Sequence, residues 1–163
     1  MMATPLTNTD LVMLRRTYLS GALGAAFALW QGAALAHSEH RLVSVWKTPS
    51  CGCCKAWIQH LQANGFKVVS ADVPDTTPIR KDLNMPAALG SCHTAVVEDY
   101  VIEGHVPAKD IKRLLKERPR ALGLAVPGMP VGSPGMEMGA RKEPYKVLLV
   151  LEEGRTRVYQ TYS

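Results

Sequence analysis

The 163-residue chain predicts an α/β fold: one sheet with flanking helices, a long loop bearing glycine, proline and methionine, and a closing β-hairpin. Three observations predict it. Short apolar runs of strand length alternate with segments whose apolar residues recur at helical spacing. Residues 119–144 hold five prolines and five glycines, too many for regular structure and an unusual length for an idle loop. Beyond that loop, two strand-like runs, 145–151 and 156–162, flank Gly154 in the manner of a hairpin.

Each element has its own signal. Residues 42–46 read as the first strand. Ser50 suits the N-cap of a helix that carries Trp57, Ile58 and Leu61 on one face and stops at Asn64 and Gly65. A second strand spans 66–73. Thr77 and Pro78 suit the N-cap and first position of a short helix that runs to Leu83, with Pro86 limiting it. Residues 94–97 and 100–102 surround Glu98 and Asp99 and form a tight antiparallel pair. Pro107 opens a helix with Ile111, Leu114 and Leu115 on one face, Lys116 and Arg118 in its last turn, and Pro119 as its stop. The order strand, helix, strand, helix, strand, strand, helix is that of a thioredoxin-like layer. The closing hairpin extends that sheet or lies beside it.

The N-terminus has a different character. Arg15 and Arg16 precede a weakly polar run that ends in Ala34, Leu35 and Ala36, which reads as an export signal over residues 1–36 with cleavage after Ala36. The run is shorter than the ~20 apolar residues of a membrane span, so no stable span is expected after cleavage. A retained anchor is the competing reading. The Arg15–Arg16 pair also resembles a twin-arginine signal, the alternative to general secretion. Residues 37–163 then form a single domain, long enough for one buried core. The full chain carries a formal charge of +5, but its basic residues are dispersed and not interleaved with aromatics, which argues against nucleic acid as a partner.

The cysteines carry the chemistry. Cys51, Cys53 and Cys54 are crowded into four positions, and Cys92 is the remaining one. Four cysteines in an exported chain suggest two disulfides, yet the first three close only trivial loops, where a disulfide stabilises least. Placed in the first turn of a helix, they meet unpaired amides and the positive end of the helix dipole, which favour thiolate. Cys51 and Cys54 are also a CxxC pair. Cys92 stands just ahead of the third strand, a junction that faces the start of the first helix in a thioredoxin-like layer. All four sulfurs are therefore expected at one centre, with three from the helix start and one from the facing strand entry. Soft thiolate and thioether ligands select Cu(I), with zinc and iron–sulfur clusters as competitors. Met129, Met136 and Met138 in the long loop tilt the choice toward Cu(I), because thioether is a poor zinc ligand.

The other candidates have plainer readings beside the functional ones. His93 adjoins Cys92 and His105 falls near the same end of the sheet, so either completes a metal shell or serves structure alone. The methionines fill gaps if they are not ligands, although a Gly/Pro loop has little core to fill. Trp46 and Trp57 read as core or pocket wall. His60 reads as surface, and His37 and His40 as weak metal ligands near the mature N-terminus.

"KTPSCGCCKAW", "GSCHTAVVEDYVIEGHVPAKDIKRLL" and "GLAVPGMPVGSPGME" together resemble the CopG family of periplasmic copper-resistance proteins, over essentially the whole chain from Arg41 onward. The resemblance implies a thioredoxin-like fold and export to the periplasm of a Gram-negative bacterium. It further implies a cysteine-bridged multinuclear copper site on Cys51, Cys53, Cys54 and Cys92, with Cu(I)/Cu(II) interconversion in copper detoxification.

The leading expectation is thus a periplasmic protein that sequesters Cu(I) through Cys51, Cys53, Cys54 and Cys92, with Met129, Met136, His93 and His105 as further candidate ligands. A copper oxidoreductase is the enzymatic form of the same reading. The competing class is a thiol–disulfide oxidoreductase with Cys51 as nucleophile and Cys54 as resolver. A copper chaperone that docks on a periplasmic copper-handling or efflux partner would use the same ligands.

Overall fold

The structure, a computed structural model, describes residues 41–163. The expected leader at 1–36, with His37 and His40, lies outside the described residues. Seven strands and three α-helices follow in the order β1 (Leu42–Lys47), α1 (Gly52–Ala63), β2 (Lys67–Asp72), α2 (Thr77–Asp82), β3 (His93–Val97), β4 (Tyr100–Glu103), α3 (Ala108–Glu117), β5 (Gly123–Ala125), β6 (Tyr145–Val150) and β7 (Thr156–Tyr162). They form one mixed sheet in the order β2-β1-β3-β4-β5-β6-β7. β1 pairs with β2 and β4 with β5 in parallel, and every other neighbour is antiparallel. Each parallel pair is joined by a helix, α1 or α3, the crossover that parallel strands require.

Period-two alternation sorts the strand side chains onto two faces. Val43, Val45, Ala95, Ile102, Leu124 and Leu149 face α1 and α3, where Trp57, Leu61, Ile111, Leu114 and Leu115 complete the main core. Val101, Ala125 and Val150 alternate with these and join Met85, shortly after α2, in a smaller cluster on the other face. Truncation of a fully buried side chain such as Leu114 or Ile111 removes both transfer energy and packing, about 2–5 kcal/mol.

Several expected boundaries move. The N-cap of α1 is Cys51, with extended backbone (φ −71°, ψ 94°), and Ser50 belongs to the preceding turn, in which the Cys51 N–H donates to the Thr48 carbonyl. The N-cap of α2 is Thr76, one residue before the expected Thr77. Asp75 accepts from the Thr77 N–H at 2.9 Å, and that Asx turn brings the chain into helix a residue early. The 119–144 segment is not wholly irregular, because β5 lies within it between β4 and β6. The hairpin β6–β7 therefore joins the sheet through β5. His60 is not a plain surface residue: its Nε2 accepts the Ala108 N–H at 3.1 Å and so caps α3, whose N-cap Pro107 provides no side-chain bond.

Candidate metal centre

The four cysteines meet at one end of the sheet. Cys51 caps α1, Cys53 and Cys54 occupy its first turn, and Cys92 immediately precedes β3, the neighbour of β1. One sulfur of each lies within 4.8 Å of the others. Cys53 Sγ is 3.5 Å from Cys51 Sγ and 3.8 Å from Cys92 Sγ. Cys54 Sγ sits 3.6 Å from the Cys92 carbonyl oxygen. The first turn of α1 contains no acidic residue, and no side chain caps it, so its dipole and free amides remain available to sulfur.

Cys51 and Cys54 form a disulfide, with Cα atoms 5.4 Å apart, and Cys53 and Cys92 are free thiols. The cluster is thus an oxidised pair beside a reduced pair. Cys54 is fully buried, whereas Cys51 is partly open to solvent.

Cys92 links this cluster to two imidazoles. Its Sγ is 3.3 Å from His93 Nδ1 and 3.1 Å from His105 Nε2. His105 Nδ1–H donates to the Pro134 carbonyl at 2.8 Å, which leaves Nε2 unprotonated toward Cys92, an assignment fixed by the partner atoms. His93 stacks against Trp57 at 4.3 Å between ring centroids and meets the His105 ring edge-on at 5.0 Å. His93 Nε2 is buried without a hydrogen-bond partner.

The electrostatics favour neutral donors. Burial, then the nearby His105, pushes His93 down to about 3. His105 is lowered by burial, opposed by the Pro134 carbonyl and by Glu137. Both imidazoles are therefore in the metal-ligating form at neutral pH. Burial, then the neighbouring Cys53, raises the Cys92 thiol to about 12, so a metal taken up there displaces a proton.

The long loop closes over the same end. Gly135, at φ +86°, lies flat on the first turns of α1: a Cβ there would stand 2.7 Å from both the Cys53 carbonyl oxygen and the Trp57 nitrogen. Left-handed backbone and contact of this closeness both require glycine. Met136 follows directly, half-buried, in a turn held by its N–H to the Ser133 carbonyl and by the Gly132 N–H to its own carbonyl. Met129 and Met138 are 51% and 60% exposed. The structure therefore brings Cys51, Cys53, Cys54, Cys92, His93 and His105 into one contact set, and of the two candidate methionines Met136 is half-buried and Met129 open to solvent.

Two features were not singled out from sequence. Lys47 is buried at the end of β1 and pairs with Asp72 on β2, closing the strand from which the cysteine turn departs. Arg80 and Glu103 form a buried ion pair at 2.9 Å behind the Cys92 segment. Burial raises the Glu103 carboxyl, against which the Thr94 and Ser91 hydrogen bonds and Arg80 work. Their spacing in the chain gives no periodic signal, and only a buried glutamate in an otherwise apolar β4 hints at a partner.

Known proteins are similar to this chain. The family described as "Protein of unknown function, DUF411" matches residues 89–136. A solved structure named "Copper resistance protein copG", form 1, is 48% identical, with a TM-score of 0.72 over 76% of this chain and 98% of its own. The chain belongs to the CopG family. Form 2 of that protein is 46% identical, with a TM-score of 0.73 over 77% of this chain and 100% of its own. No curated protein matches significantly. The CopG relationship covers about three quarters of this chain, more than the 89–136 segment of the DUF411 match. Among the described residues, no helix is long and apolar enough to cross a membrane.

Proposed function

We propose that this CopG-family chain is an exported copper-binding protein that holds Cu(I) through Cys51, Cys53, Cys54 and Cys92 in copper resistance. The observation that carries the reading is the convergence of four sulfurs within 4.8 Å, two of them thiols beside the neutral imidazoles of His93 and His105. This donor set is soft and dense, which suits Cu(I) above harder cations. Four sulfurs so close suit bridging, so the site is proposed to be multinuclear. His105 Nε2 and His93 Nδ1, at 3.1 and 3.3 Å from Cys92 Sγ, supply further donors, and half-buried Met136, next to Gly135 on α1, is the methionine proposed to add a thioether. The parallel β1–α1–β2 unit, the β3–β4 pair and α3, with CxxC at the start of α1, support a thioredoxin-like class.

The disulfide bears on the mechanism. Thiol–disulfide exchange with an external dithiol, which is itself oxidised to a disulfide, supplies the two electrons and two protons that open Cys51–Cys54 and deliver the two missing thiols. Closure returns the same two electrons, the number that two Cu(II) ions take in becoming Cu(I). Interconversion of the two copper states is therefore part of the proposal, as are residues 1–36 as a cleaved export signal, a periplasmic location, and copper-handling or efflux proteins as recipients.

Anaerobic reduction, Cu(I) loading and desalting test the reading. Copper retained in at least equimolar amount supports it, and a copper-free protein after desalting refutes it. The Cys51–Cys54 disulfide favours a second reading, thiol–disulfide exchange, with partly open Cys51 as nucleophile and buried Cys54 as resolver. Turnover of a model disulfide by metal-free protein, undiminished in Cys53→Ser, would select it.

A further inference from the structure

The fully buried Glu103 does more than balance a charge. Its Oε1 accepts the Ser91 N–H at 2.7 Å and Arg80 Nε–H at 2.9 Å, and its Oε2 accepts the Thr94 hydroxyl at 2.7 Å. Arg80 Nη2 donates to the Ser91 carbonyl at 2.9 Å and to Thr76 Oγ1 at 3.0 Å. Both polar backbone groups of Ser91 are thus held by one ion pair, and Thr94 is held by the same carboxylate. Ser91 and Thr94 bracket Cys92 and His93. Glu103 is also two residues from His105, across Gly104, whose φ of +70° and close approach to Ser91 and the Val126 carbonyl admit no side chain.

The pairing register places this pair on the opposite face of the sheet from the imidazoles. Thr94 pairs with Glu103 on the α2 face, and His93 and Ala95, one residue either side, point to the α1 face. From there the pair links the strand that carries Cys92 and His93 to the strand that leads to His105.

We infer that Arg80 and Glu103 are positioning residues that set Cys92 against His105 and Cys53. The inference rests on the copper reading for its consequence in metal affinity, but its geometric content is independent of copper. Outer partners that orient metal ligands are worth about 10–100-fold in affinity, and a buried ion pair replaced as a whole by well-packed uncharged residues of similar volume often leaves fold stability nearly unchanged.

The test is the double variant Arg80→Met/Glu103→Gln, matched to wild type by denaturant unfolding. Two readouts are compared: Cu(I) affinity by chelator competition in reduced protein, and the iodoacetamide alkylation rates of Cys92 and Cys53 in metal-free protein, resolved by peptide mass spectrometry. The inference expects Cu(I) affinity about ten-fold or more lower and a several-fold change in the Cys92 rate, with a smaller change at Cys53. Unchanged affinity and an unchanged Cys92 rate at matched stability would overturn it. Failure of wild type to bind copper would sink the copper reading, and the Cys92 rate would still decide the positioning role. If the double variant does not fold, Thr94→Val replaces it as a shape-conserving removal of one bond to Glu103. The same change at Cys92, smaller in size, is then required.

Discussion

Cys92 Sγ lies 3.1 Å from His105 Nε2, although the two residues are separated by the whole β3–β4 hairpin. The Pro134 carbonyl fixes the far side of that imidazole, so His105 is anchored from the loop and presents a bare nitrogen to the thiol. His105→Ala removes both contacts. Chelator competition should show Cu(I) affinity lowered at least about ten-fold. His105→Gln, which keeps a hydrogen-bonding side chain, should fold like wild type and lose comparable affinity.

The oxidation state of Cys51 and Cys54 should govern capacity. Thiol titration of the untreated protein should find two reactive thiols, and of the reduced protein four. Copper retained after desalting should be roughly halved in the oxidised form, because only two of the soft ligands remain. Equal capacity in both forms would show that the disulfide pair does not ligate.

Gly135 should tolerate no side chain. Gly135→Ala sets a Cβ against the Cys53 carbonyl and the Trp57 nitrogen at φ +86°, and the loop must lift. A loss of about 1–3 kcal/mol is expected in denaturant unfolding. Faster proteolysis within residues 127–138 should accompany it.

His60 supplies a pH dependence. Burial holds its pKa below the ordinary value, with Glu137 opposing and Lys112 adding to the shift. The neutral ring accepts the Ala108 N–H, and a protonated ring would lose that bond and face the positive end of α3. A lowered folded-state pKa means that the unfolded chain binds the proton first. The His60 share of stability is therefore complete above about pH 6.5 and is lost as pH falls from there through the depressed value. Thermal unfolding of His60→Gln, which retains an acceptor, should fall less between pH 7 and 5 than wild type. His60→Ala should cost about 1 kcal/mol at pH 7.

Much of this was legible in the sequence, for identifiable reasons. Strands β1, β3, β6 and β7 and helices α1 and α3 carry strong periodic patterns, and Cys92 at a strand entry was placed correctly opposite the cysteine turn. β5 escaped because Gly123, Leu124 and Ala125 have little strand preference of their own. Their state is set by β4 and β6 on either side, and Gly123 is needed because a Cβ would run into the Val101 carbonyl oxygen. The Arg80–Glu103 pair and the His60 cap escaped because each joins residues that only the folded chain brings together. In the sequence the methionines share one loop and look alike, whereas their exposure separates half-buried Met136 from open Met129 and Met138.

Convergence of the four sulfurs on copper is tested most directly by X-ray absorption at the copper edge on reduced protein loaded anaerobically with Cu(I). The account predicts a first coordination sphere dominated by sulfur, with sulfur coordination and bound copper both falling in Cys92→Ser. A sphere of nitrogen and oxygen alone, or a spectrum and copper content indifferent to the loss of Cys92, would contradict it.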